Sequence, residues 1–164
     1  MRPIRVLVAD DHAMMRAAVC ALLETEPGLT VAGEAGCGEE ALEQALRLRP
    51  DVVLMDMSMP GAGGLDATRR IAGTLGARVL VISIRPDEEG MLPALHAGAS
   101  GYLCKTAPPD ALVRAIRAVA RGEVVLSPSG VRTLVRAVAP TRSPAGGRRQ
   151  AGSRQRPLAP AAVE

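Results

Sequence analysis

Val52-Val53-Leu54-Met55 is an unbroken apolar run that ends on an acid, Asp56. Successive apolar residues without polar alternation describe a strand buried on both faces. The pattern recurs on either side. Upstream, Ile4-Arg5-Val6-Leu7-Val8-Ala9 ends on Asp10-Asp11, and Leu29-Thr30-Val31-Ala32-Gly33-Glu34 reads as a weaker strand. Downstream, Val79-Leu80-Val81-Ile82 ends on Ser83, and the shorter Gly101-Tyr102-Leu103-Cys104 ends on Lys105. Helical spacing fills the intervals. Met15, Val19, Leu22 and Leu23 share one face before Pro27-Gly28, and Ala41, Leu42, Ala45 and Leu48 precede Pro50. Leu65, Thr68, Ile71 and Leu75 follow a loop from Pro60 to Gly64, and a fourth helix runs from about Glu88 to Ala97. Leu112, Ile116, Val119 and Ala120 mark a fifth helix, introduced by Pro108-Pro109 and stopped by Gly122. Five strand–helix units in series predict a doubly wound α/β fold, a five-stranded parallel sheet flanked by five helices with right-handed crossovers.

In such a sheet the functional crevice lies at the carboxyl ends of the strands. The residues there are Asp10, Asp11, Asp56, Ser83 and Lys105. Three carboxylates brought together repel one another, and a divalent cation removes the repulsion. Mg2+ suits them, being a hard ion that takes carboxylate, water and phosphate oxygens. A carboxylate beside such an ion can attack phosphorus. The charge that phosphoryl transfer spreads over its equatorial oxygens calls for a metal, an ammonium and a hydroxyl donor. Lys105, the only lysine among 20 basic residues, and Ser83 supply the last two.

Composition removes other classes. Hydrophobic residues make up 48% of the 164, enough for a core, while Tyr102 is the only aromatic. With no aromatic platforms, a module that stacks single-stranded bases is excluded. No apolar run is long enough to span a bilayer, and the early acids do not fit a signal peptide, so a soluble cytoplasmic protein without membrane contact is expected. Cys20, Cys37 and Cys104 are odd in number and widely spaced, which argues for partly buried thiols rather than a zinc site or a disulfide framework. His12 reads as a partly exposed residue at a helix start and His96 as a helix-end residue; Arg85 and Ser58 flank the site.

Three stretches together resemble the receiver domain of two-component response regulators, and more narrowly the subfamily that normally carries a LuxR-type helix-turn-helix. They are Ile4 to His12, Pro50 to Gly61 and Gly98 to Lys105, within a likeness that covers about residues 3 to 138. The resemblance implies a flavodoxin-like fold in which Asp56 accepts a phosphoryl group from a sensor histidine kinase. Asp10 and Asp11 would hold Mg2+, with Asp56 and the main-chain carbonyl of Ser58 completing the ligands. Lys105 would pair with the phosphoryl group and Ser83 would hydrogen-bond it. Tyr102 occupies the position of the family's switch aromatic, which swings inward as the hydroxyl residue shifts. Such a protein is a phosphoacceptor switch rather than an enzyme, limited to its own phosphorylation and slow dephosphorylation, and its usual role is transcriptional control. A metal-dependent phosphatase would share the aspartyl chemistry, but it generally needs an acid–base Asp where this chain has Ser58.

The chain divides into residues 1–122, the receiver; 123–138, a linker with a short helix on Val131, Leu134, Val135 and Val138; and 139–164, an Arg/Pro/Ala/Gly-rich tail expected to be disordered. Up to residue 138 there are 15 basic and 16 acidic residues; beyond it five arginines face one acid. A helix-turn-helix needs roughly 60 residues, and 26 remain, so specific DNA binding is not expected. Truncation or a frameshift near residue 140 would account for the change in composition. Signalling would then run through protein contacts on the face of the fourth and fifth helices and the fifth strand, with homodimerisation, partner binding or competition for phosphoryl groups as the readout. The alternative is a truncated DNA-binding transcriptional regulator whose basic tail gives only non-specific, salt-sensitive contact.

Overall fold

The computed structural model describes residues 1–61, 63–85 and 87–140. Five strands, β1 (Ile4–Ala9), β2 (Leu29–Ala35), β3 (Val52–Asp56), β4 (Arg78–Ser83) and β5 (Gly101–Cys104), form one parallel sheet in the order β2-β1-β3-β4-β5. They alternate with α1 (Ala13–Thr25), α2 (Gly38–Leu48), α3 (Gly63–Leu75), α4 (Asp87–His96) and α5 (Pro109–Ala120), and α6 (Pro128–Val138) follows. The doubly wound α/β sheet read from the sequence is therefore the observed fold.

Strand side chains alternate between two apolar layers, as the two-residue period of a strand requires. Leu7, Val53, Met55, Val79, Val81 and Tyr102 face α2, α3 and α4 through Ala41, Ile71 and Met91. Val6, Val8, Val52, Leu54, Leu80 and Ile82 face α1 and α5 through Leu23, Val113 and Ile116. Fully buried leucines and isoleucines such as Leu54, Leu80 and Ile116 contribute about 1.5–3 kcal/mol each over exposure. Aliphatic residues thus fill both layers around a single ring.

Helix ends at the far rim of the sheet are held by arginines. The last carbonyls of helices carry partial negative charge, which a guanidinium offsets. Arg5 Nη1 donates to the Leu48 and Arg49 carbonyls at 2.6 and 3.0 Å, and Arg78 Nη1 donates to the Ala120 carbonyl. Arg49 closes α2 with φ 50° and ψ 59°, a left-handed conformation that costs a residue with a Cβ.

Three details depart from the sequence reading. Gly63 and Gly64, expected in the loop, open α3: a Cβ on Gly64 would stand 2.1 Å from the Asp56 carbonyl oxygen, so the bare backbone lets the helix begin against the end of β3. The helix expected within the linker exists, with Ser127 Oγ capping it by accepting the Gly130 N–H at 3.0 Å. It is docked and not free: Leu126 and Leu134 pack on the α4 side of the core. Of its four apolar markers only Leu134 turns inward, while Val131, Val135 and Val138 are exposed. Val125 forms an isolated parallel bridge to Gly101, so the β5 edge is partly covered by the chain itself. Part of the β5 and α4 surface, within the face expected to carry signalling contacts, is thus covered by the chain itself. Residues 141–164, most of the tail expected to be disordered, lie outside the described residues. Among the described residues no helix is long and apolar enough to cross a membrane.

Candidate functional site

The site follows from the sheet order. Because β1 lies between β2 and β3, consecutive crossovers leave in opposite directions and open a crevice at the carboxyl ends of β1 and β3. Asp10 follows β1, Asp56 ends β3, Ser83 ends β4, and Lys105 follows β5. The pairing of Asp56 with Ile82, and of Ser83 with Cys104, sets these ends side by side.

Four of the expected residues converge. Lys105 Nζ lies 3.1 Å from Asp10 Oδ2 and 3.1 Å from Asp56 Oδ2. Asp10 and Asp56 are each only 1% exposed, whereas Asp11 stands at the mouth. Both Asp10 oxygens are engaged, Oδ1 by the His12 N–H at 2.8 Å and Oδ2 by Lys105. Asp56 differs. Its Oδ1 accepts the Ser58 N–H at 3.0 Å. Its Oδ2 stands at ion-pair distance from the ammonium without hydrogen-bonding alignment, and it is the buried polar side-chain atom left without a hydrogen-bond partner among the described residues. Burial works against the Lys105 charge, but the Asp56 and Asp10 carboxylates outweigh it and hold its pKa above the ordinary lysine value.

Ser83 is fully buried. Its Oγ accepts the Arg85 N–H at 3.0 Å, which folds the loop after β4 back on itself. Tyr102 points inward, 1% exposed, and its hydroxyl donates to the Arg85 carbonyl at 2.8 Å. Ser83 ends the strand beside Asp56, and the Arg85 main chain links it to Tyr102. His12, read as a helix-start residue, occupies the N-cap position of α1 without a side-chain capping bond, its side chain 75% exposed. Its Nδ1 also lies 3.3 Å from Asp11 Oδ1. Adjacency to Asp10-Asp11 was the available signal that it shares the site. Cys20, Cys37 and Cys104 are free and partly buried.

Asp10, Asp11, His12 and Asp56 each offer a ligand atom, all within 4.8 Å of one another. The donors from the acids are hard carboxylate oxygens. That set can hold a hard divalent cation. Beside Lys105, an apolar groove of about 240 Å³ opens between α1 and α5, lined by Met15, Val19, Leu22, Leu103 and Leu112.

A family model described as the response regulator receiver domain matches residues 6–117. The chain is 49% identical over 122 residues to the response regulator UvrY of Escherichia coli (strain K12), covering 73% of this chain and 56% of that protein. It is 42% identical over 126 residues to the response regulator GacA of Pseudomonas aeruginosa, covering 76% and 59% respectively. It thus spans little more than half the length of these curated relatives. Among solved structures, a LuxR-family two-component response regulator from Aurantimonas sp. superposes with a TM-score of 0.76 at 35% identity, covering 82% of this chain and 97% of that one.

Proposed function

The chain belongs to the response regulator receiver family, and from that membership we propose that it is a phosphorylation-operated switch in a two-component relay that serves transcriptional control. Residues 1–122 are the receiver in this reading, and Asp56 takes a phosphoryl group from a histidine kinase. The observation that carries it is the unpartnered Asp56 Oδ2, buried in a cluster of carboxylates and facing one ammonium. Asp10 has no comparable oxygen to offer.

Asp10, Asp11 and Asp56 would hold Mg2+ with the Ser58 carbonyl, and the ion would offset the carboxylate charge and polarise the phosphoryl oxygens. Asp56 Oδ2 attacks phosphorus, the P–N bond of the phosphohistidine breaks, and the imidazole leaves and takes up a proton. Lys105, which now screens Oδ2, turns its ammonium onto a phosphoryl oxygen and stabilises the charge there. Ser83 donates its hydroxyl to a second oxygen once the loop after β4 moves towards Asp56. The groove between α1 and α5, opening beside Lys105, suits the apolar helices of a kinase domain. The product is an acyl phosphate on the protein, so the chain acts as acceptor and switch and not as a turnover enzyme.

Intact mass after incubation with acetyl phosphate tests this. Wild type gains one phosphoryl mass with Mg2+ and none with EDTA, and Asp56→Asn gains none in either. A folded wild-type protein that gains no mass with Mg2+, or an Asp56→Asn variant that still does, would overturn the assignment.

A further inference from the structure

Tyr102 is tied at both ends. Its hydroxyl donates to the Arg85 carbonyl at 2.8 Å, and its main-chain N–H donates to the Val125 carbonyl at 2.9 Å. Arg85 N–H donates in turn to Ser83 Oγ at 3.0 Å, and Val125 N–H to the Ser100 carbonyl at 3.2 Å. One buried residue therefore joins the loop after β4 to the segment that leads into α6.

Glycines make the packing around this residue close. A Cβ on Gly90 of α4 would stand 2.2 Å from Tyr102 Oη, so a side chain there and the inward ring exclude each other. A Cβ on Gly101 would lie 3.0 Å from the Val125 carbonyl oxygen, and one on Gly130 of α6 would lie 2.8 Å from Met91 Sδ of α4. Leu126 and Leu134 rest on the cluster that contains both Met91 and Tyr102. The helix beneath is weak by itself. α4 has ten residues, with Gly90 and Pro93 in its interior, both poor helix formers. A short helix of that composition takes its stability from tertiary packing, and α6 supplies part of it.

We propose that residues 124–138 are a built-in strap, and that its docking and the inward position of Tyr102 are one two-state element. Docked, the strap binds the Tyr102 N–H and covers α4, which holds the loop after β4 through Arg85. Released, it leaves Tyr102 and α4 without that support. Each event then biases the other, and the bias is reciprocal. The continuation from Ser83 to a phosphoryl group on Asp56 rests on the receiver reading above; the coupling of Tyr102 to the strap does not.

The chain carries its own probe, since Tyr102 is the only aromatic residue. Near-UV circular dichroism and acrylamide quenching of tyrosine emission report on it alone, and amide hydrogen exchange of 124–138 reports docking. In the full chain, Gly130→Val wedges α6 from Met91. The expected result is faster exchange in 124–138 together with loss of the tyrosine near-UV band and stronger quenching, at unchanged far-UV dichroism. Gly90→Ala displaces the ring, and by reciprocity it speeds exchange in 124–138. Faster strap exchange with an unmoved tyrosine signal, or a displaced tyrosine with unmoved strap exchange, overturns the coupling. If Gly130→Val disturbs the whole sheet, Leu134→Ala makes the same comparison more gently; a strap that no variant releases short of global unfolding also overturns it. Beryllofluoride with Mg2+ on wild type then separates the two readings. Slower strap exchange supports the link through Ser83. Unchanged exchange in a protein that does gain phosphoryl mass from acetyl phosphate overturns that link alone, whereas absence of that mass gain overturns the receiver reading and leaves the variant results standing.

Discussion

Replacing Lys105 by Met keeps the aliphatic stem and removes the ammonium from between two buried carboxylates. At an effective dielectric of about 20, each 3.1 Å contact is a gross attraction of about 5 kcal/mol. Most of this is spent on desolvating the buried charges. What remains is the cost of leaving Asp10 and Asp56 facing each other uncompensated, about 3 kcal/mol, or about 10 °C in melting temperature for a chain of this size. The assay is urea unfolding at neutral pH in EDTA, where no ion stands in for the lysine. Added Mg2+ should stabilise Lys105→Met more than wild type, because a dication among the carboxylates takes over the lost charge. The wild-type lysine has its own signature. Its folded pKa lies above the unfolded value of 10.5, so its stabilisation is complete below that pH and drains away as pH rises through the folded value. As pH rises above 10.5, wild type should therefore lose a stability increment that Lys105→Met never had. A Lys105→Met protein within about 0.5 kcal/mol of wild type in EDTA at neutral pH would refute the reasoning, because the cluster would then be solvated well enough not to need its cation.

Three further outcomes follow from the fold. Arg49→Gly removes a left-handed residue with a Cβ while keeping the main-chain bonds at the end of α2, and it should raise stability by about 0.5–1 kcal/mol in thermal melts. Gly64→Ala sets a methyl against the Asp56 carbonyl and should cost about 3 kcal/mol, with Mg2+ affinity falling in step because the end of β3 must shift; calorimetry and Mg2+ titration read both. Burial, helped by the nearby Glu34 carboxylate, pushes the Cys20 thiol up to about 11. At pH about 8 a disulfide reagent should therefore modify Cys37 and Cys104 well before Cys20, as peptide mapping of the labelled protein would show.

How much of this was legible beforehand varies from element to element. β3 and the inner parts of β1 (Val6–Ala9) and β4 (Val79–Ile82) announce themselves as unbroken apolar runs because a strand covered on both faces has no polar side to advertise. The residues that end them stand out for the same reason: Asp10, Asp56 and Ser83 are the first polar side chains after each run. Gly64 reads as part of the loop after Asp56 because a glycine needed for close approach looks the same in sequence as one needed for a turn. α6 reads as a short helix within a linker because its apolar residues mark a helix without saying what it touches. Of its four apolar markers Leu134 alone packs on the core, and the partner surface on α4 comes from a segment more than thirty residues earlier.

By itself the sequence determined the alternation of strands and helices, the two-sided burial of the sheet and the set of acidic, hydroxyl and ammonium groups at the strand ends. These depend on periodicity and on which residue type closes each run, both local properties. The tertiary structure decided everything that depends on distance between remote segments. It distinguished Asp56 from Asp10 by leaving one Asp56 oxygen without a hydrogen-bond donor. It brought His12 into the cluster, turned Tyr102 inward over Gly90, and laid residues 124–138 across β5 and α4. Close approach and hydrogen-bond occupancy are relations between groups that the chain brings together only on folding, and no single stretch of sequence contains them.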